Sequence, residues 1–177
     1  ILVGGSFLNI GNASRTRLAA LDPVTGEANS WGPSANNFVF TLAVAGDGTV
    51  IAGGSFTQIN ATGRNRIAAI DPVSGALLPW APSCNNAVYH IEVAGETLYV
   101  GGAFTSISAN TRNRLAALSL DANTPVETWN PNANNEVYQI DVADGLVYVA
   151  GAFTLIGPTA QITRSRLACL DGITGEP

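Results

Sequence analysis

The 177-residue sequence predicts an all-β fold built from a repeated unit of four antiparallel strands. Three observations lead to this prediction. A Gly-Gly-x-Phe element that begins at Gly4 returns after 49, 48 and 49 residues, with Ala150 replacing the first glycine in the last copy. Apolar residues alternate within short segments, a period typical of strands. Asp-Gly and Pro-x-x-Gly turn signals separate these segments, and none has a helical period.

The other elements of the repeat keep the same order in every copy. An Arg-x-Arg pair precedes an apolar segment such as Leu-Ala-Ala-Leu, and a Trp-x-Pro element and an Asn-Asn pair follow in the first three copies. The arginines are Arg15, Arg17, Arg64, Arg66, Arg112, Arg114, Arg164 and Arg166, and the tryptophans are Trp31, Trp80 and Trp129. This conserved order excludes a chance similarity between the copies.

We label the predicted strands of one repeat A to D. Strand A is expected at 39–44, 88–93 and 137–142, where alternate positions are apolar: Phe40, Leu42 and Val44; Tyr89, Ile91 and Val93; Tyr138, Ile140 and Val142. Strand B ends in Gly-Gly-x-Phe, strand C begins at Arg-x-Arg, and strand D ends in Trp-x-Pro. Four antiparallel strands repeated at this interval are typical of a β-propeller blade.

The prediction is therefore a single β-propeller segment over residues 1–177 with about 3.5 blades present. Its parts are a partial blade at 1–35, blades at 36–84 and 85–133, and a partial blade at 134–177. Propellers have about four to eight blades, so these residues are expected to be an open fragment of a larger propeller. The alternative is that several chains join to close one ring.

Composition argues against several functions. The formal charge is −5 and every basic residue is an arginine, whereas nucleic-acid binding needs a basic surface. No apolar run approaches the roughly 18 residues of a membrane helix, so direct membrane insertion is not expected. A single histidine, no lysine and no phosphate-binding loop leave no catalytic set. We expect no catalytic residue, no metal site and no cofactor here.

The repeated residues have structural interpretations. A glycine pair allows another group to approach the backbone closely, and we expect the tryptophan of each repeat to be that group and to join neighbouring blades. The paired arginines are expected on one face of strand C, where they bind carboxylates or main-chain carbonyls. The carboxylates that close this strand are Asp22, Asp71 and Asp171. The functional alternatives are a sugar-binding surface of tryptophans and an anion-binding ring of arginines.

Residues that differ between blades are candidates for ligand contact. On strand A these include His90, Glu92, Gln139 and Asp141, and the polar loop between strands B and C adds Ser106 and Asn110. The Asn-Asn pairs precede strand A, and their side chains are expected to cap loops by bonding to the main chain.

The repeat also resembles a known family. Tyr-Val-Gly-Gly-x-Phe-Thr, Arg-Asn-Arg-Leu-Ala-Ala-Leu, Thr-Gly and Trp-x-Pro-x-x-Asn-Asn are similar to a propeller repeat of large secreted or surface proteins of bacteria and archaea, mostly of unknown function. They are also similar to the ectodomain repeats of a fungal cell-polarity marker. This resemblance covers the whole chain and implies a propeller in a surface-exposed, multidomain protein.

A weaker resemblance concerns the tryptophan-docking propellers of quinoprotein dehydrogenases. It rests on Ala20-Leu21-Asp22, Thr25-Gly26-Glu27 and Trp31, and on the corresponding residues of the next repeat. In that family the tryptophan docks between blades. The spacing from Asp to Trp departs from the family pattern, and residues matching its quinone or calcium ligands are absent from the sequence, so its activity is not implied.

Three functions follow as expectations. The first is a non-catalytic extracellular or cell-surface module for protein or glycan binding, adhesion or scaffolding. The second is part of a propeller enzyme, a quinoprotein-like oxidoreductase or a hydrolase, whose site lies outside these residues. The third is a structural subunit that self-associates through open blade edges.

Overall fold

The computed structural model describes residues 1–122, 124–126 and 128–177, and these residues form an all-β, antiparallel structure without a helix. Four main sheets follow one another along the chain. Sheet 1 pairs β1 (Leu2–Gly4) with β4 (Leu18–Ala20). The three larger sheets have three strands each: β5 (Val39–Val44), β6 (Val50–Gly54) and β9 (Ile67–Ile70); β10 (Val88–Ala94), β11 (Thr97–Gly102) and β14 (Leu115–Ser119); β15 (Val137–Ala143), β16 (Leu146–Gly151) and β19 (Leu167–Asp171).

The polar loops between strands B and C are short hairpins. Each hairpin pairs two strands of two residues: β2 (Asn9–Ile10) with β3 (Ala13–Ser14), β7 (Gln58–Ile59) with β8 (Thr62–Gly63), β12 (Ser106–Ile107) with β13 (Asn110–Thr111), and β17 (Leu155–Ile156) with β18 (Ile162–Thr163). These segments were predicted only as polar loops, because two-residue strands are too short to show a period of two.

The predicted turns are confirmed. Asp144 and Gly145 join β15 to β16 with φ values of 54° and 78°, as a two-residue hairpin turn requires. The glycines that end the Pro-x-x-Gly turns and their fourth-copy counterpart also have positive φ, with values of 72°, 73° and 74° at Gly26, Gly75 and Gly175.

Predicted strand D is reduced to one isolated bridge in each of three copies, at Leu21–Ala28, Ile70–Leu77 and Leu118–Pro125. The chain leaves the sheet soon afterwards and reaches the Trp-x-Pro element. Proline has no N–H to donate to a ladder, so it does not extend this pairing. Sheets 2 and 3 therefore have three strands with a fourth segment at the edge, and the sheets of the described residues do not close into a ring.

Three apolar cores lie between successive sheets. Between sheets 3 and 4, Leu115 and Ala117 of sheet 3 are buried with Val137, Ile140 and Leu170 of sheet 4. Corresponding residues form the cores between sheets 1 and 2 and between sheets 2 and 3. The inner sheets use both faces, so the repeat buries its apolar surface by stacking. Strands β5, β10 and β15 lie beside one another. None of the described segments is a helix long and apolar enough to cross a membrane.

The glycine pairs have a different neighbour from the one predicted. An added Cβ on the first glycine of each pair would lie 2.6 to 2.9 Å from a valine Cγ1 at the start of strand A in the next sheet, the pairs being Gly4–Val39, Gly53–Val88 and Gly101–Val137. In the last three copies the second glycine (Gly54, Gly102 or Gly151) faces a main-chain carbonyl of its own sheet, such as Phe38 O beside Gly54. The prediction that the tryptophan ring covers these glycines is wrong.

The tryptophans nevertheless connect neighbouring sheets, as predicted. The indole Nε1–H donates to a carbonyl at the end of strand C in the next sheet: Trp31 to Asp71 O at 2.9 Å, Trp80 to Ser119 O at 3.2 Å and Trp129 to Asp171 O at 3.1 Å. The rings therefore lie at the strand-C end of each junction, and the glycine–valine contacts lie toward strand A.

Candidate functional site

A row of exposed aromatic side chains crosses three neighbouring sheets. We call Phe38, Phe40, Tyr89 and Tyr138 the aromatic ladder. Its successive ring centroids are 6.2, 5.8 and 5.6 Å apart, and the rings are tilted by 51° to 53°. Phe38, Phe40 and Tyr138 are 43%, 46% and 49% exposed. Phenylalanine side chains in the core of this chain, such as Phe104, are fully buried, so the exposure of the ladder is a distinct feature.

A β-bulge places three rings of the ladder at the surface. The pairing of β5 with β6 shifts between Val39 and Thr41, which leaves Phe40 as the extra residue. The same shift occurs at Tyr89 and at Tyr138. A bulge redirects the side chain that it inserts. The predicted alternation, which placed these aromatic residues with Leu42 on one apolar face of strand A, is therefore wrong.

Two charged groups lie at the ladder. The Arg17 guanidinium carbon lies over the Phe38 ring, 6.0 Å from its centroid. The other charged group is Glu136. Its carboxylate accepts hydrogen bonds from the Tyr138 hydroxyl at 2.9 Å and from the Tyr89 hydroxyl at 3.5 Å. The bond to Glu136 raises the pKa of Tyr138. Burial, followed by the Glu136 charge, raises the pKa of Tyr89. Both tyrosines are neutral near pH 7, and Glu136 provides acceptor oxygens beside the rings.

The asparagines that precede strand A are close in sequence to the aromatic ladder. Asn37, Asn86 and Asn135 occupy one repeat position, and each Oδ1 accepts the N–H of the following residue at 2.8 to 2.9 Å. This contact orients the side chain as predicted for a cap. The three residues are exposed, and their Nδ2 donors have no hydrogen-bond partner among the described residues. The surface therefore combines aromatic rings, one carboxylate and one guanidinium group, with amide donors nearby in the sequence.

The first asparagine of each pair has a different role. Asn36 accepts the N–H groups of Thr57 and Gln58 at 2.8 and 3.0 Å and donates to the Thr57 hydroxyl at 2.8 Å. Asn85 and Asn134 bind their own B–C hairpins in the same way. These residues hold the hairpin against the start of strand A.

The structure brings His90 and Gln139 together. His90 Nδ1 accepts the Ile140 N–H at 3.3 Å, and His90 Nε2 lies 2.9 Å from the Gln139 amide. Thr41, at the corresponding position one sheet earlier, accepts the Ile91 N–H at 3.3 Å. These side chains link neighbouring first strands. Burial lowers the pKa of His90, although the Asp141 charge acts in the opposite direction.

Glu92 and Asp141 are also neighbours on these strands. Burial and the nearby Asp141 charge both raise the pKa of Glu92. The described residues contain no group of three or more His, Cys, Asp or Glu side chains that could hold a metal ion. This part of strand A therefore offers hydrogen-bonding groups and negative charge.

Ser106 and Asn110 lie in the β12/β13 hairpin, apart from the strand-A set in sequence. The Ser106 N–H donates to Asn85 Oδ1 at 3.1 Å, and Asn110 Nδ2 donates to Ser108 O at 3.0 Å. Their recorded hydrogen bonds join the hairpin to the Asn-Asn segment and to itself. The structure does not join them to His90 or Glu92 by a hydrogen bond.

The arginine pairs precede strand C. The strand begins at the residue after the second arginine, and that arginine has a φ of 68°, 71°, 67° or 69° in Arg17, Arg66, Arg114 and Arg166. A left-handed residue interrupts the alternation of side chains along an extended strand. The prediction that both arginines share a strand face is wrong.

The guanidinium groups bind main-chain carbonyls. Arg15, Arg64 and Arg112 each donate to the preceding carbonyl and to one 14 residues further on, at Asn29, Leu78 and Val126. Arg17, Arg66, Arg114 and Arg164 also donate to carbonyls, at Ala35, Phe56, Phe104 and Thr163. The carbonyl prediction is thus confirmed, and the arginines tie loops to the segments beside them.

The predicted carboxylate partners have another role. Asp22 Oδ1 accepts the N–H groups of Val24 and Thr25 at 2.9 and 2.8 Å, and Asp71 and Asp171 do the same in their own turns. These main-chain donors lower the pKa of all three carboxyl groups. The prediction that they pair with the arginines is wrong, because each carboxylate instead accepts main-chain N–H groups of the turn that follows it.

The aromatic ladder, with Glu136, was not predicted as a candidate site from the sequence. The sequence pattern that marks the ladder is a valine, an aromatic residue and a polar residue in succession. It recurs at the same place in three repeats: Val39-Phe40-Thr41, Val88-Tyr89-His90 and Val137-Tyr138-Gln139. An apolar pair followed by a polar residue breaks a period of two, as a bulge does.

Comparisons with known proteins agree with this architecture. A family model described as a domain of unknown function (DUF5122) beta-propeller matches residues 45–77, which include β6 and β9. This match supports a propeller repeat family of unknown function. No curated protein matches the chain.

Forty-one chains of solved structures match, among them the computationally designed Ika8 protein. The match to Ika8 has a TM-score of 0.59 and 12% identity, and it covers 90% of this chain and 41% of the designed chain. At that identity the likeness shows the fold alone. The present residues span less than half of the designed chain.

Proposed function

We propose that this chain is a non-catalytic, glycan-binding module of an extracellular or cell-surface β-propeller protein, with the aromatic ladder as its binding surface. The observation that carries the proposal is the row of four aromatic rings, three of them at least 43% exposed, with neighbouring centroids 5.6 to 6.2 Å apart. Sugar rings present apolar C–H faces that pack on aromatic rings. A row of rings suits an extended chain of such units.

The polar groups beside the ladder favour a glycan over a proline-rich peptide. Glu136 accepts hydrogen bonds from two tyrosines of the ladder, and Asn37, Asn86 and Asn135, with free Nδ2 donors, lie one to three residues before a ladder residue in the sequence. Each sugar hydroxyl both donates and accepts a hydrogen bond, so it can use both kinds of group. A polyproline helix also docks on aromatic grooves, but its proline residues offer only carbonyl acceptors.

The test compares ladder variants with an off-ladder control. Soluble oligosaccharides of glucose, mannose and N-acetylglucosamine and one proline-rich peptide are titrated into the wild-type chain by calorimetry. Tyr89→Ala and Tyr138→Ala are expected to weaken glycan binding by about tenfold each. Tyr148→Ala is the matched control, because Tyr148 is an exposed tyrosine on β16, outside the ladder.

Two results would overturn the glycan proposal. One is equal loss of affinity in Tyr148→Ala and in the ladder variants, since the ladder would then have no special role. The other is binding of the peptide alone, which would assign the ladder to polyproline recognition.

We also propose that these residues supply about 3.5 blades of a larger propeller. The support is the outward face of sheet 4. Leu167 is 65% exposed and Tyr148 is 39% exposed, whereas their counterparts in sheet 3, Leu115 and Tyr99, are 0% and 6% exposed beneath sheet 4. We infer that a further sheet of the same repeat covers this face, in the way that sheet 4 covers sheet 3.

The intact mass of the chain from its source, together with its mass in solution, tests this stacking. We expect an intact mass far above 18.2 kDa and further copies of the repeat in the same polypeptide. An intact mass near 18.2 kDa with a discrete oligomer in solution would instead assign the face to a second copy of the chain. A monomer of that mass would overturn the proposal.

A further inference from the structure

One junction between sheets has a tryptophan that is less buried than its counterparts and borders a cleft. Trp31 and Trp129 are 3% and 1% exposed, but Trp80, at the same repeat position, is partly exposed. Beside Trp80 a cleft of about 480 Å³ opens between sheets 2 and 3. This volume lies within the range of small-molecule sites.

The cleft follows from a departure from the repeat. At the closed junctions, Gly75 lies against Pro33 and Trp31, and Gly175 lies against Pro131 and Trp129. At the middle junction the corresponding turn begins at Ser119 and has no such glycine.

The replacement turn changes the contacts of the middle tryptophan. The Trp80 Nε1–H is shared between Ser119 O at 3.2 Å and Ala122 O at 2.9 Å. The indole is thereby held in place, while part of its surface stays open.

The walls of the cleft are apolar and its rim is acidic. Among the lining residues, Ile51, Leu78, Trp80 and Leu120 are apolar, and the acidic residues Asp47, Glu96 and Asp121 are exposed, which places them at the rim. No arginine lines the cleft, and the chain as a whole carries a formal charge of −5. The Thr49 N–H and hydroxyl donate to the Asp47 carboxylate and lower its pKa, so Asp47 is ionised near pH 7.

We infer that this cleft binds a small organic ammonium ion, with Trp80 and the apolar walls against the alkyl groups and the rim carboxylates around the charge. An indole attracts a cation through its ring quadrupole, and partial removal of water strengthens that attraction. Hydrated metal ions gain nothing from apolar walls, whereas an alkylated ammonium ion is apolar and charged at once. The site is separate from the aromatic ladder and does not depend on the glycan proposal.

Calorimetric titration of the 177-residue chain with choline tests the inference. The control ligand is the neutral isostere of choline in which carbon replaces nitrogen, and it is expected to bind at least about tenfold more weakly. A peptide that carries trimethyllysine is titrated in parallel. Tighter binding of the peptide than of choline, with the same variant dependence, supports the site and identifies a protein side chain as the source of the ammonium group.

Charge-matched variants locate the binding. The double variant Glu96→Gln, Asp121→Asn is expected to weaken choline binding by about tenfold. The control double variant Asp144→Asn, Glu176→Gln removes the same charge outside the cleft and is expected to leave the affinity unchanged. Trp80→Leu keeps an apolar wall and is expected to weaken binding by about fivefold or more, with thermal melting recorded for every variant.

Three results would overturn the inference: no binding of choline or of the peptide, equal binding of the neutral isostere, or equal loss in the two double variants. If Trp80→Leu fails to fold, the comparison between the two double variants still decides the question.

Discussion

The three junctions between sheets are built alike toward strand A and differently toward the end of strand C. A glycine faces a valine of the next sheet at each junction, with added-Cβ distances of 2.6, 2.8 and 2.9 Å. At the other end, Trp31 and Trp129 are buried beside proline and glycine, whereas Trp80 borders a cleft. The glycine–valine contact is therefore common to all three junctions between sheets, whereas a single altered turn can open space for a ligand.

The largest expected effect separates the closed and open junctions. Trp129→Ala is expected to lower the free energy of unfolding by about 3–5 kcal/mol, because a buried ring that also contacts Tyr99 edge-on at 5.0 Å is lost. Trp80→Ala is expected to lower it by less than half as much, since its ring is already partly exposed. Urea denaturation followed by circular dichroism measures both, and equal losses would contradict the difference between the junctions.

The next effect tests the shared glycine contact. Gly53→Ala and Gly101→Ala are each expected to lower the free energy of unfolding by about 1–3 kcal/mol, because the new methyl group overlaps Thr41 and Val88 in the first case and Val137 in the second. Similar losses at the open and closed junctions would show that the two are built alike there. Val137→Ala in the Gly101→Ala background is expected to recover part of the loss, and the absence of any recovery in thermal melts would contradict the assigned contact.

A smaller effect concerns the arginines. Arg64→Lys is expected to lower the free energy of unfolding by about 1 kcal/mol, because an ammonium group cannot reach Gly63 O and Leu78 O together as the guanidinium does. Arg164→Lys is the control, since the side-chain hydrogen bond of Arg164 goes only to its neighbour Thr163 and the residue is exposed. A loss in Arg164→Lys as large as that in Arg64→Lys would argue against the bridging role.

The smallest expected effect is a pH dependence confined to the junction between sheets 3 and 4. Burial lowers the pKa of His90 in the folded chain, so the unfolded chain takes up a proton first as the pH falls. The contribution of His90 to the free energy of unfolding is complete above pH ~6.5. It is lost as the pH falls from there to the lower pKa that His90 has in the folded chain. The junction between sheets 2 and 3 uses Thr41 at this position, which does not titrate.

Denaturation at pH about 7.5 and about 5.5 measures this dependence. His90→Gln keeps hydrogen-bonding groups without titrating in this range, and the stability difference between the two pH values is expected to shrink in this variant. An unchanged difference would assign the pH dependence to other groups.

Particular residues mark how far the sequence could predict the fold. The repeat, the turns at Asp144-Gly145 and the antiparallel sheets were all predicted, because turn chemistry and periodicity are local properties. The contact between Gly101 and Val137 was not, since it joins residues of different repeats and depends on how the sheets stack. The tryptophan was correctly expected to join sheets, but the group that it contacts was not predictable from its spacing.

The candidate site was predicted only in part. His90, Glu92, Gln139 and Asp141 were identified as variable positions on strand A, and the structure brings them together in pairs. Phe40, Tyr89 and Tyr138 were assigned to the apolar face, because an assumed regular pairing hides a bulge. The cleft beside Trp80 depends on two sheets at once, although the altered turn at Ser119 was visible in the sequence.

The sequence by itself determined the all-β class, the interval of the repeat and the positions of its turns, because each of these depends on residues close together along the chain. The tertiary structure alone decided which valine meets which glycine, which aromatic rings reach the surface and which of three equivalent junctions stays open. Those outcomes depend on strand register and on stacking between residues about 50 positions apart, as in the hydrogen bonds from Ile91 to Thr41 and from Ile140 to His90.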